Sequence, residues 1–167
     1  EETGSGFPLL VLPGGGLSGT LASLATPFNP MERLKDDFRC IAADRRNAPS
    51  GQSTGPLESG RPWDSFCDDH LGLMDHLGIQ RFGVIGFCIS GPMILNLIKN
   101  APDRVVAAAM MQPSGYRPEL PDLFYQNNMK EWGPALCEAR ADVTMEMVDA
   151  FLTSMYTDRT GFVFSVD

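Results

Sequence analysis

Cys88 stands in the stretch Val84-Ile85-Gly86-Phe87-Cys88-Ile89-Ser90-Gly91, where a short apolar run meets a helical pattern. A nucleophile presented on so sharp a strand-to-helix turn adopts strained φ and ψ, so the residues two before and two after it must be small. Gly86 meets that demand fully, and Ser90 fills the second place with Gly91 just behind it. Making Ser90 the nucleophile instead would require small residues at 88 and 92, which hold Cys88 and Pro92. The turn would set Cys88 at a helix N-terminus, whose partial positive charge favours the thiolate, the nucleophilic form. The plain alternative is a small buried hydrophobe, as free cysteines often are. The pattern around Cys88 favours the nucleophile.

A thiolate that attacks a carbonyl needs backbone N–H donors aimed at the oxyanion that develops. Pro13-Gly14-Gly15-Gly16 follows directly on an early apolar run. With a nucleophile elbow, one donor is the residue after the nucleophile, here Ile89, and the other comes from an early glycine loop, here Gly15. A phosphate cradle is the competing reading of a glycine-rich loop, but the lysine and spacing of a P-loop are absent and Gly14-Gly15-Gly16 is not GxGxxG. Cys40, Cys67 and Cys137 read as core or bystander thiols, and no CxxC pair suggests zinc. The chemistry implied needs no metal or organic cofactor.

Four apolar runs would position these residues: Pro8 to Leu12, Phe38 to Ala43, Phe82 to Ile85, and Val105 to Met111. Each is short and lacks clean alternation, the pattern of strands covered on both faces of a parallel sheet. Helical patterns lie between them. Trp63, Phe66, His70, Leu73 and Leu77 form one stripe that Gly78 closes, and Ile89 to Asn100 forms the next helix, with Pro92 in its first turn. Alternating strands and helices imply an α/β sandwich with a mostly parallel sheet. After Pro113 the character changes to turns and aromatics, and then Val143 to Tyr156 reads as an amphipathic helix with Met147, Val148, Phe151, Leu152 and Met155 on its apolar side. The expected organisation is a core over residues 1–113, a helical cap over 114–161 and a return toward the core over 162–167. Met129, Met145, Met147, Met155, Tyr125 and Trp132 read first as packing and second as the lining of an apolar pocket. Residues 1–6 resemble the second half of a hairpin turn whose first strand is absent, and Phe162 to Asp167 stops without a terminal helix or polar tail, so the sandwich is expected to be incomplete at both ends.

Composition narrows the class. At 167 residues, 43% apolar and 20% charged, the chain suits one globular domain. A net charge of −8 argues against nucleic acid and against an anionic membrane surface as partner. No apolar run approaches the roughly 18 residues of a membrane span. Four dispersed cysteines fit reduced thiols and a cytoplasmic location.

The order Leu10-Val11-Leu12-Pro13-Gly14-Gly15, Asp44 through Ser53, Met74 through Ile79, and Gly86 through Gly91 resembles the α/β-hydrolase superfamily. Pro13 stands where many members carry histidine, and Ser90 where most carry a second glycine. The cysteine resembles that of dienelactone hydrolases and polyhydroxyalkanoate synthases. The resemblance implies hydrolysis of an ester, lactone or thioester of a small-molecule acyl substrate through an acyl-enzyme on Cys88. Acyl transfer on the same scaffold and a catalytically silent binding protein are the alternatives. In this superfamily the histidine base follows the nucleophile. Here His70 and His76 both precede Cys88, and Gln112 occupies an alternative acid position. The acid and base are therefore expected outside this chain.

Overall fold

The computed structural model describes residues 1–26, 28–114 and 120–157. Five strands form one sheet: β1 (Glu2–Thr3), β2 (Phe7–Leu12), β3 (Phe38–Ile41), β4 (Phe82–Phe87) and β5 (Val105–Met111). Their spatial order is β1-β3-β2-β4-β5. β2 pairs in parallel with both β3 and β4, and β4 pairs in parallel with β5. The parallel register brings the carboxyl ends of β2, β4 and β5 to one edge, with Leu12 opposite Gly86 and Phe87 opposite Met111. The loops that follow, at 13–16, 88–89 and 112–114, therefore emerge side by side, where open α/β sheets bind ligands.

Two apolar layers sandwich the central strands. Leu10, Leu12, Ile41 and Val84 meet Trp63, Phe66, Met93, Ile94 and Leu97 of helices α2 (Pro62–His76) and α3 (Ser90–Asn100). On the opposite face, Leu9, Val11, Cys40 and Ile85 meet Leu24 and Met31, from a 3₁₀ turn and the short helix α1 (Pro30–Arg33). Both faces of β2 and β4 are thus covered, as their unbroken apolar runs require.

Two expectations are corrected. β5 is not covered on both faces: residues 106–109 are exposed, Val106 at 42%, because among the described residues β5 is the last strand of the sheet and no element packs its outer side. The N-terminus does contain a strand. β1 pairs antiparallel with β3 rather than with β2, because Gly4 and Gly6, both at positive φ, turn the chain across residues 35–38.

Residues 120–157 are helical: α4 (Leu120–Asn127), a π-helical turn (Asn128–Trp132), α5 (Gly133–Ala139) and α6 (Met145–Thr157). Residues 115–119 and 158–167, which include the expected return toward the core, lie outside the described residues. Val148, Phe151, Leu152 and Met155 are buried as the stripe predicts, but Met147 is 42% exposed. It precedes Val148 by one position and so falls about 100° off the 148-151/152-155 face. The segment is fastened to the loop after β3 at two points. Trp132 donates Nε1–H to the Asn47 carbonyl at 3.0 Å and stacks obliquely on Phe151. Arg140 donates from Nη1 to Asn47 Oδ1 and to the Gly55 carbonyl, each at 2.7 Å. Asn47 itself sits at φ 60, a left-handed conformation that asparagine tolerates better than other side chains.

Trp132 is almost fully buried. Trp132→Ala should lower the unfolding free energy by about 3–5 kcal/mol, and Trp132→Phe, which keeps most of the area but loses the hydrogen bond, by about 1–2 kcal/mol. Urea denaturation followed by circular dichroism checks both; a Trp132→Phe variant as stable as wild type would show that the Asn47 bond contributes nothing.

Candidate active site

Cys88 is the single residue between the end of β4 and the first turn of α3 that takes a positive φ, 54°. Such a backbone is strained for any residue with a Cβ. Three hydrogen bonds hold it: Cys88 N–H donates to the Met111 carbonyl at 3.2 Å, and the Cys88 carbonyl accepts from Gly91 N–H at 3.0 Å and Ser114 N–H at 2.9 Å. The flanking small residues answer to contacts. A Cβ on Gly86 would lie 2.6 Å from the Ser90 Cβ, and one on Gly91 would lie 2.5 Å from the Pro113 Cβ. The sharp turn leaves Cys88 exposed, while Cys40 and Cys67 are buried and Cys137 is half-buried. Burial pushes the Cys40 and Cys67 thiols up, so they are poor nucleophiles.

The glycine loop reaches the same place. Cys88, Gly14 and Gly15 share an open cleft of about 380 Å³ with Phe87, Gln112 and Ser23. A Cβ on Gly14 would lie 3.3 Å from the Phe87 Cβ, a tight contact that shows how closely the loop runs to the elbow. Gly15 is left-handed, at φ 85. Among the described residues, neither Gly15 N–H nor Ile89 N–H has an acceptor within the protein. Ser114 Oγ lies 3.4 Å from Cys88 Sγ. A second cavity, of about 350 Å³, opens between the loop at Gly15 to Leu17 and the wall formed by Leu123, Phe124 and Trp132. Of the residues read as possible pocket lining, Trp132 is on this wall, whereas Met155 is buried in the core.

Sequence reasoning did not single out the group that ties these parts together. Arg45 is 6% exposed and donates from Nη2 to the Pro13 carbonyl at 2.5 Å and to Ser90 Oγ at 3.1 Å, and from Nη1 to the Gly16 carbonyl. Ser90 Oγ in turn donates to the Pro13 carbonyl at 2.8 Å. Asp44, next to it, accepts from Leu21 N–H and Gln52 N–H and so shapes the loops on either side. The signal was the arginine-bearing run from 44 to 53, whose charge reads as solvated until the fold buries it.

Neither histidine joins the cleft. Both are on α2; His76 is exposed at its end, and His70 lies beside Arg45 beneath the loop after β3. His70 Nδ1 is buried without a partner among the described residues. Burial, reinforced by the Arg45 charge, pushes His70 from 6.5 down to about 3, so it stays neutral. Gln112, after β5, takes φ 47 at the cleft's edge. Among the described residues no three His, Cys, Asp or Glu side chains converge in a way that could hold a metal ion.

The parallel sheet, the strained strand-to-helix turn and the adjacent glycine loop agree with the comparisons. Residues 8–166 match the family described as alpha/beta hydrolase fold, and the chain belongs to that family. It is 29% identical over 115 residues to 2-hydroxymuconate semialdehyde hydrolase of Pseudomonas sp. strain CF600, an alignment covering 69% of this chain and 39% of that protein. The chain thus spans about two fifths of the length of that curated relative. Among solved structures it resembles 2-hydroxy-6-oxo-6-phenylhexa-2,4-dienoate hydrolase from Rhodococcus sp. strain RHA1, with TM-score 0.66 and 18% identity, covering 96% of this chain and 69% of the other. A marine microorganism esterase gives TM-score 0.64 at 17% identity, covering 100% and 74%.

The half-buried neutral imidazole, its Nδ1 shut off from solvent, has a consequence for pH. Its folded pKa is depressed, so below about 6.5 the unfolded chain takes up a proton that the folded chain refuses. His70 contributes nothing to the pH dependence above that value, and stability falls as pH drops from 6.5 toward 3. Between pH 7 and pH 5 the wild-type chain should lose about 2 kcal/mol more than His70→Leu. Urea midpoints at the two pH values check this; parallel losses would contradict it.

Proposed function

We propose that the chain carries the nucleophile and oxyanion site of a hydrolase acting on an ester, lactone or thioester of a small acyl compound. The observation that carries the reading is the exposed Cys88 sulfur on a strained turn, sharing one cleft with Gly15, while Gly15 and Ile89 N–H lack acceptors. The Cys88 thiolate attacks the acyl carbonyl, and the electron pair of that bond moves onto oxygen. N–H groups of Gly15 and Ile89 stabilise the oxyanion. Collapse expels the alkoxide or thiolate and leaves a thioester on Cys88, which water then hydrolyses.

Deacylation needs a base, and His70 and His76 stand apart from the cleft. Neither histidine of these 167 residues is assigned as the base, and the helical segment 120–157 acts as a cap whose Leu123 and Trp132 wall receives the acyl group. The relatives named as hydrolases support the general class. The position of the histidines favours one rival, a catalytically silent member in which Cys88 is incidental.

Exposure to p-nitrophenyl acetate separates the two. One acetyl group per chain, located on Cys88 by peptide mass spectrometry and absent from Cys88→Ala, is expected, with acylation at least about tenfold faster than at the half-buried Cys137. Acetylation spread evenly over Cys88 and Cys137 would remove the enzymatic reading.

A further inference from the structure

Two residues from distant parts of the chain meet at one point in the structure: Pro13, just after β2, and Ser90, the first residue of α3. The Ser90 hydroxyl donates to the Pro13 carbonyl at 2.8 Å, and the Arg45 guanidinium donates to both. The same guanidinium also reaches the Gly16 carbonyl. Carbonyls on both sides of the Gly14-Gly15 pair are therefore drawn to one buried cation.

A trans peptide points its C=O and N–H in opposite directions, so fixing a carbonyl fixes the adjoining N–H. Pinning Pro13 O sets the plane that carries the Gly14 N–H, and pinning Gly16 O sets the plane that carries the Leu17 N–H, so the stretch between them, which carries the Gly15 N–H, is clamped at both of its ends. The fit is tight: Arg45 N–H donates to the Gly19 carbonyl at 3.0 Å, and a Cβ on Gly19 would come within 2.5 Å of Arg45 Nη1. No carboxylate forms an ion pair with Arg45 among the described residues. Its acceptors are carbonyls and one hydroxyl. Burial pushes the guanidinium down to about 10, and the charge of a Cys88 thiolate acts the other way, which places the two groups within electrostatic reach.

We propose that Arg45, acting with Ser90, is a positioning residue that holds the glycine loop in its oxyanion-binding form: the Pro13, Gly16 and Ser90 contacts of one buried guanidinium orient the Gly15 N–H toward an acyl oxygen on Cys88. The proposal rests on the acyl-transfer reading above. It assigns Ser90 a function as well, since glycine at that position would remove one of the two donors to the Pro13 carbonyl.

Two reactions of the same sulfur test it. Attack on p-nitrophenyl acetate builds an oxyanion and releases p-nitrophenolate as the thioester forms. Alkylation by iodoacetamide displaces iodide and builds no oxyanion. The ratio of the two second-order rates, normalised to glutathione, reads oxyanion stabilisation apart from thiol reactivity. Arg45→Met should lower the ratio by about 30-fold, toward the cost of losing an oxyanion donor. Ser90→Ala, which removes one hydrogen bond and leaves the Cβ in place, should lower it by about fivefold. The iodoacetamide rate at Cys88 should stay within about twofold of wild type in Ser90→Ala; Arg45→Met also removes a cation near the thiolate, and that loss enters both rates and cancels in the ratio. Should Arg45→Met fail to fold, Ser90→Ala alone decides. A wild-type ratio equal to that of glutathione would overturn the acyl-transfer reading itself. A raised wild-type ratio that both variants retain would overturn only the positioning role, as would an equal fall in both rates.

Discussion

Cys88 holds a backbone conformation that a side-chain-bearing residue adopts only when its surroundings leave no alternative. A left-handed φ of this kind costs on the order of 1–3 kcal/mol, and the surrounding structure offsets it with specific contacts. β5 supplies one of them, since its last carbonyl accepts the Cys88 N–H, and residue 114 supplies another from just beyond that strand. Gly86, Ser90 and Gly91 are small because the elbow closes against its own helix and against Pro113. β5, otherwise exposed, thus shapes the turn that lifts the sulfur out of the core.

The second constraint is the burial of a cation. A guanidinium removed from water must find acceptors for its donors, and Arg45 finds them in the glycine loop and the first residue of α3. The glycine loop and the helix that follows Cys88 are thereby joined by one side chain from a third element, the loop after β3. That loop is itself bound to the helical segment through Asn47, which accepts from Trp132 and Arg140. Asn47 and Arg45, two residues apart on that loop, thus fasten the helical segment and the site to the same stretch of chain.

Much of this was legible in the residues. The four apolar runs lie where β2, β3, β4 and β5 form, and the elbow and glycine loop stand out because glycine spacing at a strand's end has few other uses. β1 was not legible, since two residues carry no periodicity, and the exposure of β5 was not, since an alanine-rich apolar run looks the same exposed as covered. Met147 shows the limit of reading a stripe by eye: one position of helical rotation separates a buried residue from an exposed one. Arg45 was hidden for a different reason. Charged residues are rarely buried, and the pairing of its donors with the carbonyls of 13 and 16 spans about thirty positions of sequence, a distance that no local pattern encodes.

The central claim is that the Gly15 and Ile89 amides face the oxygen of a tetrahedral adduct at Cys88. Amide proton chemical shifts, followed by ¹H–¹⁵N correlation spectra as Cys88 is titrated with a trifluoromethyl ketone, test this directly. The account predicts that the Gly15 and Ile89 amide protons both move downfield on adduct formation, although 73 residues separate Gly15 from the modified sulfur. Shifts confined to the neighbours of Cys88 in sequence, with Gly15 unmoved, would contradict it.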